Sequence, residues 1–247
     1  MTKPRIAEQT FFRPVRSGNA FEETVQRLLQ TIRLGVVVPG GSLPSERELA
    51  LRLSVSRDTV RDAIRSLSDA GYLVSRRGRY GGTFVVEDLP PGGTPIAHPD
   101  RDETPHEPPS ADELEEALAL REVLEVGAVR LAAARSLAAP EREQLWAALQ
   151  DVTGADPEDY RRLDSRLHLT IAEVSGVRSL VTLVAENRMQ VNHFLDEIPL
   201  LPRNITHSNE QHEAVVTAIL AGRSDTAAAA MDEHLAGSAS LLRGFLA

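Results

Sequence analysis

The sequence predicts a mainly α-helical chain in two parts: an N-terminal head of three helices closed by a small β-hairpin, and a C-terminal antiparallel bundle made of helices alone. Three observations carry this expectation. Between Gly41 and Val85, two short helices with capping residues are followed by two strand-like runs around a glycine-rich tip. From Asp112 to the end, one helical pattern follows another with no alternating strand pattern and no internal repeat. Between these parts, residues 88–111 are dense in proline, glycine and acid and have no period, which marks a linker.

Residues 1–18 form an arm before the first periodic stretch. In 20–34, Phe21, Val25, Leu28, Leu29 and Ile32 repeat at helical spacing, and Gly35 with Pro39-Gly40-Gly41 ends that helix. Ser45 and Glu48 stand at the spacing of a capping box after Pro44, so a second helix starts near Glu46 and buries Leu49, Ala50 and Leu53. Ser56 is the next cap. Behind it Val60, Ala63, Ile64 and Leu67 make an apolar stripe, while Arg57, Arg61 and Arg65 fall at i, i+4 and i+8 on another side. Two short helices joined by a tight turn, the second cationic, form a helix-turn-helix whose second helix suits a DNA major groove. Arg57, Thr59 and Arg61 lie early enough on it to reach base edges: the arginine fork matches guanine O6 and N7, and the threonine methyl meets a thymine methyl. After Gly71, the runs 72–74 and 83–86 read as strands around Arg76-Arg77-Gly78-Arg79-Tyr80-Gly81-Gly82, a basic wing for phosphates or the minor groove. Residues 19–87 are thus expected to be a winged helix-turn-helix domain, and 112–247 an all-helical domain.

In the second part, helices are expected at 112–137, 140–153, 157–175, 177–198, 206–221 and 224–245, with breaks at Pro140, Gly154 to Pro157, Gly176, Pro199 to Pro202 and Gly222. Asp164 and His168, four apart, share one helix face. His212 and His234 each lie eleven residues from a turn near Arg223, so two antiparallel helices bring them to the same height. One carboxylate and three imidazoles make a site of borderline hardness, suited to zinc, nickel, manganese or iron, with positions left for water or an effector. On a later helix, Arg188, Asn192 and His193 are placed along the same cavity. His98 and His106, in the linker, are given no metal role.

Composition narrows the function. Zero cysteines exclude disulfides, thiolate metal sites and cysteine nucleophiles, which fits the cytoplasm. The N-terminus lacks the apolar core of a signal peptide, and no run of about 18 apolar residues is present. Residues 1–86 hold 14 Lys and Arg against 8 Asp and Glu, a net of +6, and the remainder 13 against 28, a net of −15. A basic head on an acidic body points to nucleic acid at the head only. With no metalloprotease helix motif, no nucleophile elbow and no assigned general base, an enzyme is not expected.

The order LPSERELA, VSRDTVRDAI, L-x(3)-GYL and GGTFV resembles the winged helix-turn-helix of the GntR family of bacterial transcription regulators, over roughly Ala20 to Val86. In the branch similar to FadR, the resemblance implies operator contacts from Arg47, Ser56, Arg57, Thr59, Arg61 and the pair Arg77-Gly78. The segments DSRLHLTIAEVSG, NEQHEAVVTAILAG and AAAAMDEHL are similar to the FCD effector domain that accompanies this head, which implies metal ligation by Asp164, His168, His212 and His234. Val177 stands where that family commonly has Asn, which affects a helix cap rather than a ligand. Arg121 matches an arginine that reaches the effector's carboxylate in such domains; its other reading is an exposed ion-pair partner for Glu125 at i+4. The resemblance implies a metabolite-responsive regulator, commonly a repressor, that binds a palindromic operator as a homodimer and is switched by a small carboxylate. The alternative is a regulator for which the metal ion itself is the signal.

Overall fold

A computed structural model of the chain describes residues 14–15, 18–33, 36–78, 81–90 and 110–246. Most of the expected arm, the linker from 91 to 109 with His98 and His106, and Arg79 and Tyr80 of the wing lie outside the described residues. Two compact units emerge, each with its own core.

The head begins with α1 (Ala20–Arg33), which buries the five expected apolar residues. Helix α2 (Glu46–Leu53) starts where the Ser45 hydroxyl accepts the Glu48 amide at 3.3 Å. The returning half of the expected capping box is not the bond that Glu48 makes: its carboxylate accepts a charge-assisted bond from Arg52 at 2.5 Å, one turn on. Ser54, at φ 58°, ends α2 in the left-handed conformation and opens the tight turn. Ser56 then caps α3 (Arg57–Asp69) by accepting the Thr59 amide at 2.9 Å, and Val60, Ala63, Ile64 and Leu67 are buried as expected.

Strands β1 (Leu73–Arg76) and β2 (Gly82–Val85) pair antiparallel, from Leu73 opposite Val85 to Arg76 opposite Gly82. Glycine is required at the tip, because Gly78 has φ +107° and a Cβ on Gly81 would meet the Arg76 carbonyl at 2.5 Å.

The second part contains α4 (Ala111–Ala134), α5 (Ala139–Thr153), α6 (Pro157–Val174), α7 (Arg178–Asp196), α8 (Pro202–Leu220) and α9 (Ser224–Leu246). A full capping box at Ser110 and Glu113 starts α4. Helix α4 packs on α6 and α7, and α6 also on α5 and α7. Leu114, Val129, Leu145, Leu167, Ile171, Val184, Val191 and Val216 are buried. Two bounds differ from expectation by more than two residues. Pro202 begins α8 rather than breaking the chain before it, since proline's missing N–H costs nothing in a first turn. Helix α4 stops at Ala134, where Arg135 turns extended and its guanidinium donates to the Val174 carbonyl.

The last turns of α9, counted with the bundle from sequence, cluster with the head. From Gly237 to the end of α9 the chain joins the first unit, as do residues 197–203. There a Cβ on Gly244 would lie 2.9 Å from the Gln26 Cα, and the Phe245 ring meets Tyr72 edge to face at 5.9 Å. Among the described residues no helix is long and apolar enough to cross a membrane.

Helix α7 follows Val177, which is exposed and has no side chain able to cap it. Val177→Asn is expected to raise stability by about 1 kcal/mol. The check is the midpoint of urea unfolding, and an unchanged midpoint would reject a capping deficit there.

Candidate metal centre and nucleic-acid interface

Three helices bring the expected ligands together. Asp164 and His168 stand one turn apart on α6, His212 comes from α8 and His234 from α9, and all four are buried. One ligand atom from each can be chosen so that all lie within 4.8 Å of one another. His212 Nε2 lies 3.2 Å from His234 Nε2 and 3.3 Å from Asp164 Oδ1, and His168 Nε2 lies 3.8 Å from the same Oδ1. Three Nε2 atoms and one carboxylate oxygen thus face one point, the donor set of a first-row divalent ion with positions left open.

The far side of two rings supports that choice of nitrogen. His168 Nδ1 is in contact with Glu125 Oε2, and His234 Nδ1 lies 3.3 Å from Gln211 Oε1. With Nδ1 turned to an acceptor behind it, each ring presents Nε2 inward. His212 Nδ1 has no hydrogen-bond partner among the described residues.

Protonation also suits an ion. Burial alone would raise the Asp164 carboxyl, but Arg188, His168 and His212 beside it hold it well below the usual carboxylate range. Burial pushes the imidazoles of His168 and His234 below the ordinary histidine value, and for His234 the neighbouring His212 and His168 add to this. Ionised carboxylate and neutral imidazole are the forms that ligate metal.

Arginines surround the group. Arg188, 2% exposed on α7, donates through Nη2 to Asp164 Oδ2 and, at 3.0 Å, to Ser165 Oγ. Its Nε and Nη1 have no hydrogen-bond partner among the described residues, although Nη1 lies 3.8 Å from Glu125 Oε1. Asn192 is half-buried and donates to Ser165 Oγ at 2.9 Å, which places it beside Arg188. His193, on the same helix, is exposed. Arg121 donates through Nε to Glu125 Oε1 at 3.2 Å, the pair expected from i+4 spacing, but both residues are 2% exposed rather than on the surface. Glu125 and Gln211 are the neighbours of the ligands that sequence reasoning missed. Glu125 was visible only as an ion-pair partner, and Gln211 only as the residue before His212.

On the head, Arg47, Ser56, Arg57, Arg61, Arg77 and Gly78 are exposed and Thr59 is half-buried. The Ser56 hydroxyl is engaged in the cap and lies 2.8 Å from the Thr59 hydroxyl. Arg61 is held by Asp58 at 2.9 Å and Glu46 at 3.3 Å. Arg57, in the first turn of α3, has no ion-pair partner among the described residues.

A winged head with cationic side chains on α3, carried with a helical body that gathers an aspartate and three histidines able to hold a metal ion, is the build of a bacterial transcription regulator. Residues 21–85 match the family described as bacterial regulatory proteins, gntR family, and residues 116–237 match the FCD domain. A protein of Escherichia coli (strain K12) named for regulation of the L-lactate dehydrogenase operon is 31% identical over 229 residues, covering 90% of this chain and 84% of that one. The HTH-type transcriptional regulator LutR of Bacillus subtilis (strain 168) is 27% identical over 222 residues, 87% of this chain and 97% of that one. The solved structure of E. coli McbR/YncC, 18% identical, superposes with a TM-score of 0.50 over 90% of this chain and 96% of that one, a likeness of fold. The chain belongs to the GntR family of transcription regulators, with an FCD domain as its second part, and its relatives are regulators rather than enzymes.

Proposed function

We propose that this regulator is a metabolite-responsive repressor that binds a palindromic operator as a homodimer in the cytoplasm, with residues 19–87 on DNA and residues 112–247 taking the signal. Asp164, His168, His212 and His234 hold a divalent transition metal, zinc first and nickel, manganese or iron after it. Bound there, the ion supplies a Lewis-acidic centre that a small carboxylate can ligate. Arg188, with Arg121 and Asn192 nearby, orients that carboxylate. The observation that carries this is a buried guanidinium, two of whose nitrogens have no hydrogen-bond partner among the described residues, beside a buried four-ligand group. Unmet buried donors are costly, and an anion relieves them.

Two related half-sites follow from a two-fold dimer, with their spacing set by the separation of the heads. On the head, Arg57, Thr59 and Arg61 read bases, while Arg47, Ser56, Arg77 and Gly78 fix the register. The effector changes DNA affinity only by the difference in its affinity for the two arrangements, typically ~1–3 kcal/mol. Because the E. coli relative is named for an L-lactate dehydrogenase operon, 2-hydroxy acids come first among the candidates. Such an acid can offer a metal both carboxylate and hydroxyl oxygen.

The test is thermal unfolding of the purified protein with mono-, di- and hydroxy-carboxylates, each with and without prior chelation. A ligand present at ~100 times its Kd and bound only to the folded state adds about 2.7 kcal/mol, so one acid is expected to raise the midpoint and chelation to abolish the rise. If no acid acts but metal alone alters DNA affinity, the ion is itself the signal. The ion pairs that already engage Arg121 and Asp164 favour that second reading.

A further inference from the structure

Glu125 sits at the middle of α4, one turn after Arg121, and its carboxylate is shared between two partners. One oxygen accepts from Arg121 Nε at 3.2 Å, and the other lies against His168 Nδ1. Arg188 Nη1 approaches the first oxygen at 3.8 Å. All four side chains are at most 3% exposed, so no solvent screens these contacts. The ring of His168 is therefore held from behind by a charged acceptor, while its Nε2 points towards Asp164 and the other two imidazoles.

We propose that Glu125 is a positioning residue of the metal centre: it holds His168 in the Nδ1–H form that turns Nε2 to the ion, and it ties that ring to Arg121. The inference rests on the metal-centre reading above. An imidazole that donates from one nitrogen to a carboxylate is fixed in tautomer and orientation and is a stronger base at the other nitrogen. A neutral imidazole carries its proton on either nitrogen, so a ring without such a partner must first move it to Nδ1 before Nε2 can ligate. Glu125 removes that step.

The same carboxylate makes Arg121 and the ion energetically connected. A ligand that draws Arg121 towards itself weakens the Arg121–Glu125 bond and leaves more of the carboxylate's charge to His168. The centre thus responds to an anion through Arg121 even where that anion does not touch His168. Gln211 performs the weaker, uncharged version of this task behind His234.

Two measurements test the assignment in the full-length protein. In the metal-free protein, long-range 15N–1H correlation spectra report the tautomer of His168. The Nδ1–H form is expected in the wild type, with a mixture or the Nε2–H form in Glu125→Leu. Zinc affinity, measured by competition with a chromogenic chelator, is expected to fall ~10–100-fold in Glu125→Leu and by an intermediate amount in Glu125→Gln, whose amide oxygen can still accept from Nδ1.

Removing the Glu125 carboxylate from beside the buried Arg121 can unfold the single variant. The double variant Arg121→Leu with Glu125→Leu removes the pair as a unit and keeps the core apolar. In it, zinc affinity is expected to fall as far. Wild-type affinity in a folded variant, or an unchanged His168 tautomer, overturns the proposal. If the wild type itself fails to bind zinc, the metal-centre reading falls instead, and the tautomer in the metal-free protein still decides whether Glu125 orients the ring.

Discussion

Asp164→Ala is expected to abolish zinc binding and to destabilise the metal-free protein by about 3–5 kcal/mol. Two separate effects meet at this residue. In the proposed metal centre, it supplies the only carboxylate of the four-residue group. As an ion-pair partner, it takes the Nη2 of Arg188, which is 2% exposed and cannot reach water. Removing one member of a buried pair leaves an uncompensated charge, whose cost exceeds what the intact pair contributes. The 3.8 Å approach of Arg188 to Glu125 softens this, which favours the lower end of the range.

His234→Ala separates the two effects. It removes a ligand but strands no permanent charge, so it is expected to lose zinc with a smaller loss of stability. Urea unfolding of both variants without metal makes the comparison. Equal destabilisation would mean that the Arg188 pair contributes nothing special, and zinc affinity retained by Asp164→Ala would remove that residue from the ligand set.

Arg57→Ala is expected to lose ~1–3 kcal/mol of operator affinity and to flatten base preference at the position it reads. Its side chain is exposed in the first turn of α3 and engages no acid among the described residues, so it is ready to fork onto a guanine edge. Arg61 differs, because Asp58 and Glu46 hold it and DNA must compete with both. Arg77, at the wing, is expected to behave as a phosphate contact: Arg77→Ala should weaken binding uniformly and lower the salt slope by about 1. Binding of the operator and of a scrambled duplex, each at several salt concentrations, distinguishes these roles. Equal loss on both duplexes in Arg57→Ala would defeat base reading.

Much of this protein was legible before any coordinates. The Ser45 and Ser56 caps, the apolar stripe of α3 and the glycines of the wing depend on neighbours within a few residues, so their spacing in the chain is nearly their spacing in space. The pairing of Asp164 with His168 follows from one helical turn. Even the meeting of His212 and His234 was readable, because a turn midway between them folds two helices back at matching heights.

Burial and the partners reached across helices are a different matter. Arg121 and Glu125 have the same i+4 spacing on a wet surface as in a dry interior, and only the packing of α4 on α6 and α7 places them inside. That packing sets Glu125 behind His168 and Arg188 against Asp164, contacts 43 and 24 residues apart in the chain. The last turns of α9 join the head's core, which no periodicity announces. Sequence alone determined the local hydrogen bonds, the helix faces and the pairing of near neighbours such as Asp164 with His168, since these are set by short-range geometry. Tertiary structure alone decided which charges lose their water and which acceptors stand behind His168 and His234, because both depend on what the rest of the chain brings alongside.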